Sequence, residues 1–183
     1  MSHIRPPSGF TTIELMVTIA ILAILAAMAA PSFTPIIERW RVRQTLEGLQ
    51  STLYYARSEA IRRGGGVILE KLPQDSNGCQ LAQGQSDWGC GWVLYADTNG
   101  NARLDDGEEI RRMDTAARTT VTRTTASAQM KLDRWGNMGG LGAQGFTIAP
   151  YPAGISSPAT RGLCVAAGGR IKVIGQEDVP CNS

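Results

Sequence analysis

The strongest constraint in this chain is an apolar run near the N-terminus that contains a single charge. Residues 10–30 carry only Glu14 as a charged group and would form a helix about 32 Å long. That length matches the hydrocarbon core of a bilayer, which is about 30 Å thick. A charged side chain at the centre of a membrane helix costs roughly 2.5–3.5 kcal/mol. The sequence therefore predicts a membrane helix in which Glu14 has a specific role.

A secretory signal peptide is the alternative interpretation of the same run. Ala27 and Ala29 have the spacing of a cleavage site for signal peptidase. Against it, the preceding segment is only weakly basic, Glu14 interrupts the apolar core, and Pro31 lies close to the cut. We therefore expect the helix to be retained.

Residues 31–63 have the pattern of an amphipathic helix. Apolar residues recur there at steps of three and four positions. These residues are Val42, Leu46, Leu49, Leu53, Ala56 and Ala60. Glycines at 64–66 predict the end of the helix, and Pro31 and Pro35 predict a kink or a break near its start. One face of this helix requires an apolar cover.

Residues 64–183 alternate short apolar segments with turn residues. The predicted strands are 67–72, 91–96, 109–113, 119–124, 129–133, 146–149, 163–167 and 170–174. Such strands form an antiparallel sheet, which would cover the apolar stripe of the helix. The sequence thus predicts an α+β fold in which a long N-terminal helix, half membrane-embedded and half amphipathic, packs on an antiparallel β-sheet head.

The four cysteines predict disulfides. An even number of cysteines after a membrane-targeting segment indicates an oxidising compartment. Three pairings are possible, and the sequence separations favour Cys79 with Cys90 and Cys164 with Cys181. Zinc is the alternative, but the chain has no C-x-x-C pair and its one histidine, His3, precedes the apolar run.

The N-terminus resembles a known processing signal. A short basic segment ending in Gly9, followed by Phe10, Glu14 and an apolar helix, is similar to the class III signal of type IV pilins and type II secretion pseudopilins. The resemblance implies that prepilin peptidase removes a leader at 1–9 and methylates the new amine of Phe10. It also implies that Glu14 neutralises the amine of a neighbouring subunit during assembly, since a buried charge is tolerable when it is paired.

The predicted head resembles a narrower group. Residues 91–112, GWVLYADTNGNARLDDGEEIRR, are similar to the GspH/FimT subgroup of minor pilins and pseudopilins. The resemblance implies a minor type IV pilin, held in the inner membrane by residues 10–30 with a periplasmic head, and incorporated into the pilus at or near its tip. Its partners would be major and minor pilins and prepilin peptidase. A type II secretion pseudopilin is the alternative.

A basic segment near the C-terminus suggests a second function. Some FimT-like pilins bind DNA in natural transformation through a Gly-Arg-x-Arg motif, which residues 169–172, Gly-Arg-Ile-Lys, resemble. Lys172 can neutralise a phosphate but lacks the planar fork of arginine. Together with Arg170 and Arg161 it would contact the backbone of double-stranded DNA in a salt-sensitive manner. The alternative is a solvated edge strand whose charges prevent aggregation.

An acidic loop in the head matches the spacing of an EF-hand in part. Positions one, three, five, nine and twelve of such a loop supply oxygen ligands to calcium. Here they are Asp97, Asn99, Asn101, Asp105 and Glu108. The sixth position, normally glycine, is Ala102, and no helices are predicted on either side. The favoured interpretation is a polar turn closed by its own hydrogen bonds, without metal.

The sequence offers no basis for catalysis. Removal of the leader would take away His3, and with it the only imidazole. The chain contains no P-loop, dinucleotide-binding fingerprint or nucleophile elbow. We therefore expect a structural subunit that needs no cofactor.

Overall fold

The computed structural model describes residues 9–29, 33–138, 144–166 and 168–181. The chain divides into two compact units, Met1–Ile37 and Glu38–Ser183. Most of the predicted leader, and the predicted kink at Pro31, lie outside the described residues. Helix α1 spans Thr12–Ala29 and helix α2 spans Thr34–Arg63. Pro35 lies in the first turn of α2, where its missing N–H donor is not needed.

Helix α2 ends at Arg63 because the following glycines form a Schellman motif. Gly64 and Gly65 have φ values of 77° and 107°, which favour glycine. The N–H of Gly65 donates to the carbonyl of Ala60 at 2.8 Å, and that of Gly64 donates to Ile61 at 3.4 Å. These two bonds satisfy carbonyls that the end of a helix leaves without partners.

Among the described residues, eight strands follow α2, and all eight correspond to predicted segments with small shifts at their ends. They are β1 Val67–Lys71, β2 Trp92–Ala96, β3 Glu109–Met113, β4 Thr119–Arg123, β5 Gln129–Leu132, β6 Gln144–Pro150, β7 Arg161–Val165 and β8 Ile171–Ile174. They form two antiparallel sheets rather than one. The first sheet has the order β3-β2-β1-β5, and the second has the order β4-β6-β7-β8.

The main core lies between α2 and the inner faces of both sheets. The predicted stripe on α2 is buried throughout, from Val42 to Ala60, in one cluster with residues of both sheets. Gly48 lets the helix approach β3, because a Cβ atom there would lie 2.7 Å from Cε of Met113. Beside it, the indole of Trp92 donates a hydrogen bond to Thr52 at 3.1 Å. The predicted packing of an amphipathic helix on antiparallel sheets is confirmed.

A second apolar cluster covers the outer face of the first sheet. Its buried residues are Ile68, Leu72, Ala82, Cys90, Val93 and Tyr95. The segment closed by the Cys79–Cys90 disulfide and the acidic loop contribute to this cover. The central strands β1 and β2 of the first sheet are therefore covered on both faces, whereas the edge strand β3 remains largely exposed.

A buried arginine joins the second sheet to its surroundings. Arg123 on β4 is only 3% exposed, and its guanidinium donates to the carbonyls of Ser127 and Gln129 and to Oε1 of Gln144. Its guanidinium carbon also lies 5.6 Å from the centre of the Trp88 ring. Burial lowers the pKa of Arg123. Because its hydrogen-bond partners are uncharged oxygens, the side chain positions segments of the chain rather than forming an ion pair.

Candidate functional sites

The N-terminal candidate residue, Glu14, caps the helix in which it lies. The N–H and the hydroxyl of Thr11 donate to its carboxylate at 2.9 and 3.0 Å, and the N–H of Glu14 donates to the hydroxyl of Thr11 at 3.3 Å. This reciprocal arrangement is a capping box. Thr-x-x-Glu before an apolar run is a recognised signature of a helix start, so this role of Thr11 could have been predicted from the sequence.

The N-terminal unit presents an unusual amount of apolar surface. All side chains described at positions 9–28 are exposed, including Phe10, which is 87% exposed, and Ile13 and Leu22. Within the part of the chain that the structure describes, no helix meets the length and hydropathy expected of a membrane span.

The basic segment near the C-terminus forms the turn between β7 and β8. The N–H of Gly169 donates to the carbonyl of Ala166 at 2.8 Å, and the N–H of Ala166 donates to the carbonyl of Arg170 at 2.9 Å. Gly169 has a φ of 77°, which suits this tight turn. Arg170 and Lys172 are both exposed, and strand alternation places them on the same side of β8.

Arg161 does not join this pair. It begins β7, whereas Arg170 lies next to the turn at the other end of the strand pair. Its guanidinium donates to the carbonyls of Pro158 and Thr160 at 2.9 and 2.6 Å. Arg161 therefore lies apart from Arg170 in the fold, because an antiparallel pairing separates residues that are close in sequence. Its contact with DNA stays a prediction.

Both disulfides favoured by sequence separation are present, Cys79–Cys90 and Cys164–Cys181, with Cα atoms 5.5 and 5.6 Å apart. The second bond attaches the C-terminal segment to β7. Gly145 on β6 provides the space for it, because a Cβ atom there would lie 2.8 Å from Sγ of Cys181.

The acidic loop is closed by hydrogen bonds among its own residues. The carboxylate of Glu108 accepts from the N–H and the hydroxyl of Thr98 and from the N–H of Asp105. The amides of Asn99 and Asn101 both donate to Asp105 at 2.7 Å. The amide donors of these asparagines lower the pKa of Asp105. This is the polar turn that the sequence analysis favoured.

The first half of the loop nevertheless has an EF-hand-like bend. Ala102, at the position of the usual glycine, has a φ of 57°, and its N–H donates to Oδ2 of Asp97 at 3.1 Å. The other oxygen of Asp97 is buried without a hydrogen-bond partner. Among the described residues, no group of three or more His, Cys, Asp and Glu side chains is arranged to hold a metal ion.

Comparisons with known proteins agree with this architecture. Residues 45–169 match the family model of the type II transport protein GspH, and residues 5–30 match the prokaryotic N-terminal methylation motif. The fold and the N-terminal signal thus define a type IV minor pilin or pseudopilin, a structural subunit and not an enzyme. The chain belongs to the GspH family.

Several relatives share part of this chain. The pilin-like protein PilA1 of Thermus thermophilus is 32% identical over 102 residues, which are 56% of each chain. A fimbrial protein of Pseudomonas aeruginosa is 35% identical over 72 residues, 39% of this chain and 46% of that one. The chain thus spans about half the length of these relatives.

Solved structures share the fold. Two crystal structures of the type IV minor pilin FimU of Pseudomonas aeruginosa superpose with TM-scores of 0.57 and 0.58, at 20% identity. The alignments cover 75% and 78% of this chain and 96% and 94% of FimU.

Replacing Glu108 tests whether the acidic loop stabilises the fold through its carboxylate. The hydroxyl and then the N–H of Thr98 are the main causes that lower the pKa of Glu108 below its ordinary value of 4.5. Because the pKa of Glu108 is lower in the folded state than in the unfolded state, its carboxylate stabilises the fold fully at pH values above the unfolded-state pKa. This stabilisation is lost as the pH falls through the folded-state pKa. We expect Glu108→Gln to lower the urea midpoint at pH 7 and to weaken its dependence on pH below about 4.5.

Urea unfolding of the full chain in neutral detergent, across a pH series, measures both effects. The exposed neighbour Asp106 provides the matched control, Asp106→Asn. A Glu108→Gln chain with the same midpoint and the same acid dependence as the wild type would contradict this role.

Proposed function

We propose that this protein is a minor pilin that is cut after Gly9, methylated at Phe10 and assembled at or near the tip of a type IV pilus. The observation that carries the proposal is the pairing of an exposed apolar helix with a carboxylate held at its start. Apolar side chains around a whole helix require a surrounding apolar medium. A bilayer supplies such a medium before assembly, and a bundle of subunit helices supplies it in a filament.

The capping box gives Glu14 a defined position for assembly. Cleavage after Gly9 would create a positive amine at Phe10, next to the Thr11 that already contacts the carboxylate. In a filament, the amine of an adjacent subunit would approach the same helix start. A carboxylate that hydrogen bonds already orient loses less conformational freedom when it forms this ion pair.

The N-terminal methylation motif and the disulfides support the proposed location. The motif supports anchoring of residues 10–30 in the inner membrane, and two disulfides suit a periplasmic C-terminal unit. Prepilin peptidase and other major and minor pilins would then be its partners.

A pseudopilin of type II secretion is the alternative within the same family. The pilus is favoured because the matched solved structures are minor pilins, and the matched relatives are described as pilin-like and fimbrial. Deletion of the gene separates the two functions. We expect loss of surface pili with normal protein secretion, whereas intact pili with blocked secretion would establish the alternative.

The Glu14→Gln variant tests the assembly mechanism. Glutamine can keep hydrogen bonds to Thr11 but cannot neutralise an amine. We expect the variant to reach the inner membrane in normal amounts and to fall by about tenfold or more in sheared filaments, because it loses an ion pair in an apolar bundle. Immunoblots of both fractions measure this ratio.

Thr18→Val, an uncharged change on the same helix, controls for altered packing, and Glu14→Asp should restore part of the incorporation. Wild-type levels of Glu14→Gln in filaments would show that the carboxylate charge is not needed for assembly.

Binding of DNA is a second candidate function, supported by the exposure of Arg170 and Lys172 on one side of β8. We expect the double variant Arg170→Gln, Lys172→Gln to bind a duplex more weakly. Two lost phosphate contacts would reduce the slope of log affinity against log salt by roughly 1.8.

Fluorescence anisotropy of a labelled duplex with the full chain in neutral detergent measures this slope. Arg103→Gln with Arg111→Gln removes the same charge near the first sheet and should leave the slope unchanged. No binding by the wild type at low salt would remove DNA from the functions of the subunit.

A further inference from the structure

We propose that the nucleic-acid surface extends from the β7–β8 turn across Arg57 to Trp135, and that it takes a single strand with a base stacked on the Trp135 indole. This inference rests on the proposed DNA contact of Arg170 and Lys172. It adds two residues from other parts of the fold and specifies the form of the nucleic acid.

Arg57 connects the turn to a loop from the other sheet. It lies on α2, and its side chain extends from Gly136, in the loop after β5, to Gly169, in the β7–β8 turn. A Cβ atom at Gly136 would lie 2.5 Å from Cγ of Arg57, and one at Gly169 would contact its guanidinium nitrogen Nη1. Both glycines have positive φ, 73° and 77°. Glycine at both positions therefore lets Arg57 lie against the two segments, with its guanidinium next to Gly169, which directly precedes Arg170.

Trp135 is presented by an ordered loop and yet is 71% exposed. Oδ1 of Asp133 accepts hydrogen bonds from the N–H groups of Trp135 and Asn137, both at 2.8 Å, and the N–H of Gly136 donates to the Asp133 carbonyl at 2.9 Å. The loop is thus held by its own bonds while the largest side chain in it faces solvent. These bonds fix the backbone that carries the indole, so stacking on a planar ligand would order only the side chain and not the loop.

The charges around this surface favour a polyanion. The Arg57 guanidinium lies against Gly169, and the exposed cations Arg170 and Lys172 follow Gly169 in the sequence. The neighbouring carboxylates have other partners, since Glu59 pairs with Arg62 and Arg63 and Asp133 accepts the bonds within its loop. The side chain of Asn137 is the main cause that lowers the pKa of Asp133. Because the carboxylates of Glu59 and Asp133 bind these partners, neither forms an ion pair with Arg170 or Lys172.

Cations next to an exposed aromatic ring suit a single strand better than a duplex. The cations neutralise phosphates, and the indole stacks on a base, which single strands expose and duplexes keep within the helix. The Arg57 side chain spans the distance between the loop after β5 and the β7–β8 turn. A short piece of single-stranded nucleic acid could therefore contact Arg170, Arg57 and Trp135 together. A protein partner is the competing occupant, because tryptophan and arginine also dominate protein interfaces.

Anisotropy of labelled oligothymidine and of a duplex of equal length, with the full chain in neutral detergent, tests the proposal. We expect tighter binding of the single strand. Trp135→Ala should weaken binding of the single strand by about 5- to 150-fold, the effect of one stacked base. It should leave duplex binding and the salt slope unchanged, and Trp135→Phe should restore most of the affinity.

The Arg57→Gln variant tests the bridge. It should reduce the slope of log affinity against log salt for the single strand by roughly 0.7, because one phosphate contact is lost. The exposed Arg43→Gln on the same helix should leave this slope unchanged. Urea midpoints of all variants should match the wild type, which separates loss of binding from loss of folding.

The outcomes distinguish this inference from the proposals on which it rests. Equal affinity for both forms of DNA, with no effect of Trp135→Ala, would overturn the extension and leave the Arg170 and Lys172 contact intact. Absence of all DNA binding would overturn both, and would leave the assembly role untouched. Trp135→Ala that lowers incorporation into filaments without changing DNA affinity would assign the surface to a protein partner and overturn the proposal.

Discussion

The apolar face of α2 is the constraint on which the rest of the structure depends. The same stripe, from Val42 to Ala60, belongs to one core cluster with the inner faces of both sheets. Neither four-stranded sheet would retain this cover without the helix, and without the sheets the helix would expose its apolar stripe to water. A cavity in this stripe would therefore affect both sheets, since neighbouring side chains relax only partly around lost volume.

The two units differ in how their apolar side chains are covered. The C-terminal unit buries apolar side chains in the core under α2 and in the outer cluster of the first sheet, and two disulfides cross-link it. In the N-terminal unit, the apolar side chains described at positions 10–28 are exposed, and Thr11 and Glu14 fix the start of the helix. A subunit of a filament needs both properties, a domain that is stable by itself and a segment whose partners lie in other subunits.

Local signals in the sequence predicted most of the helices and strands, but they did not predict which strands pair over long sequence separations. The eight strands, the end of α2 at Arg63 and both disulfides follow from periodicity, glycines and short separations. The division into two sheets does not, because it depends on β1 pairing with β5 and β4 pairing with β6 across intervening segments. For the same reason the sequence shows neither the separation of Arg161 from Arg170 nor the approach of Arg57, on α2, to the β7–β8 turn. The role of Thr11 was readable from the sequence and was overlooked.

The intact mass of the chain isolated from filaments shows directly whether residues 10–30 form a processed assembly helix. We expect a mature chain that begins at Phe10, carries one added methyl group on its N-terminal amine and retains both disulfides. A chain that begins after Ala29 would instead show a cleaved secretory signal peptide. A chain that still begins at Met1 would show that the N-terminal signal is not processed, and either result would contradict the proposed mechanism of assembly.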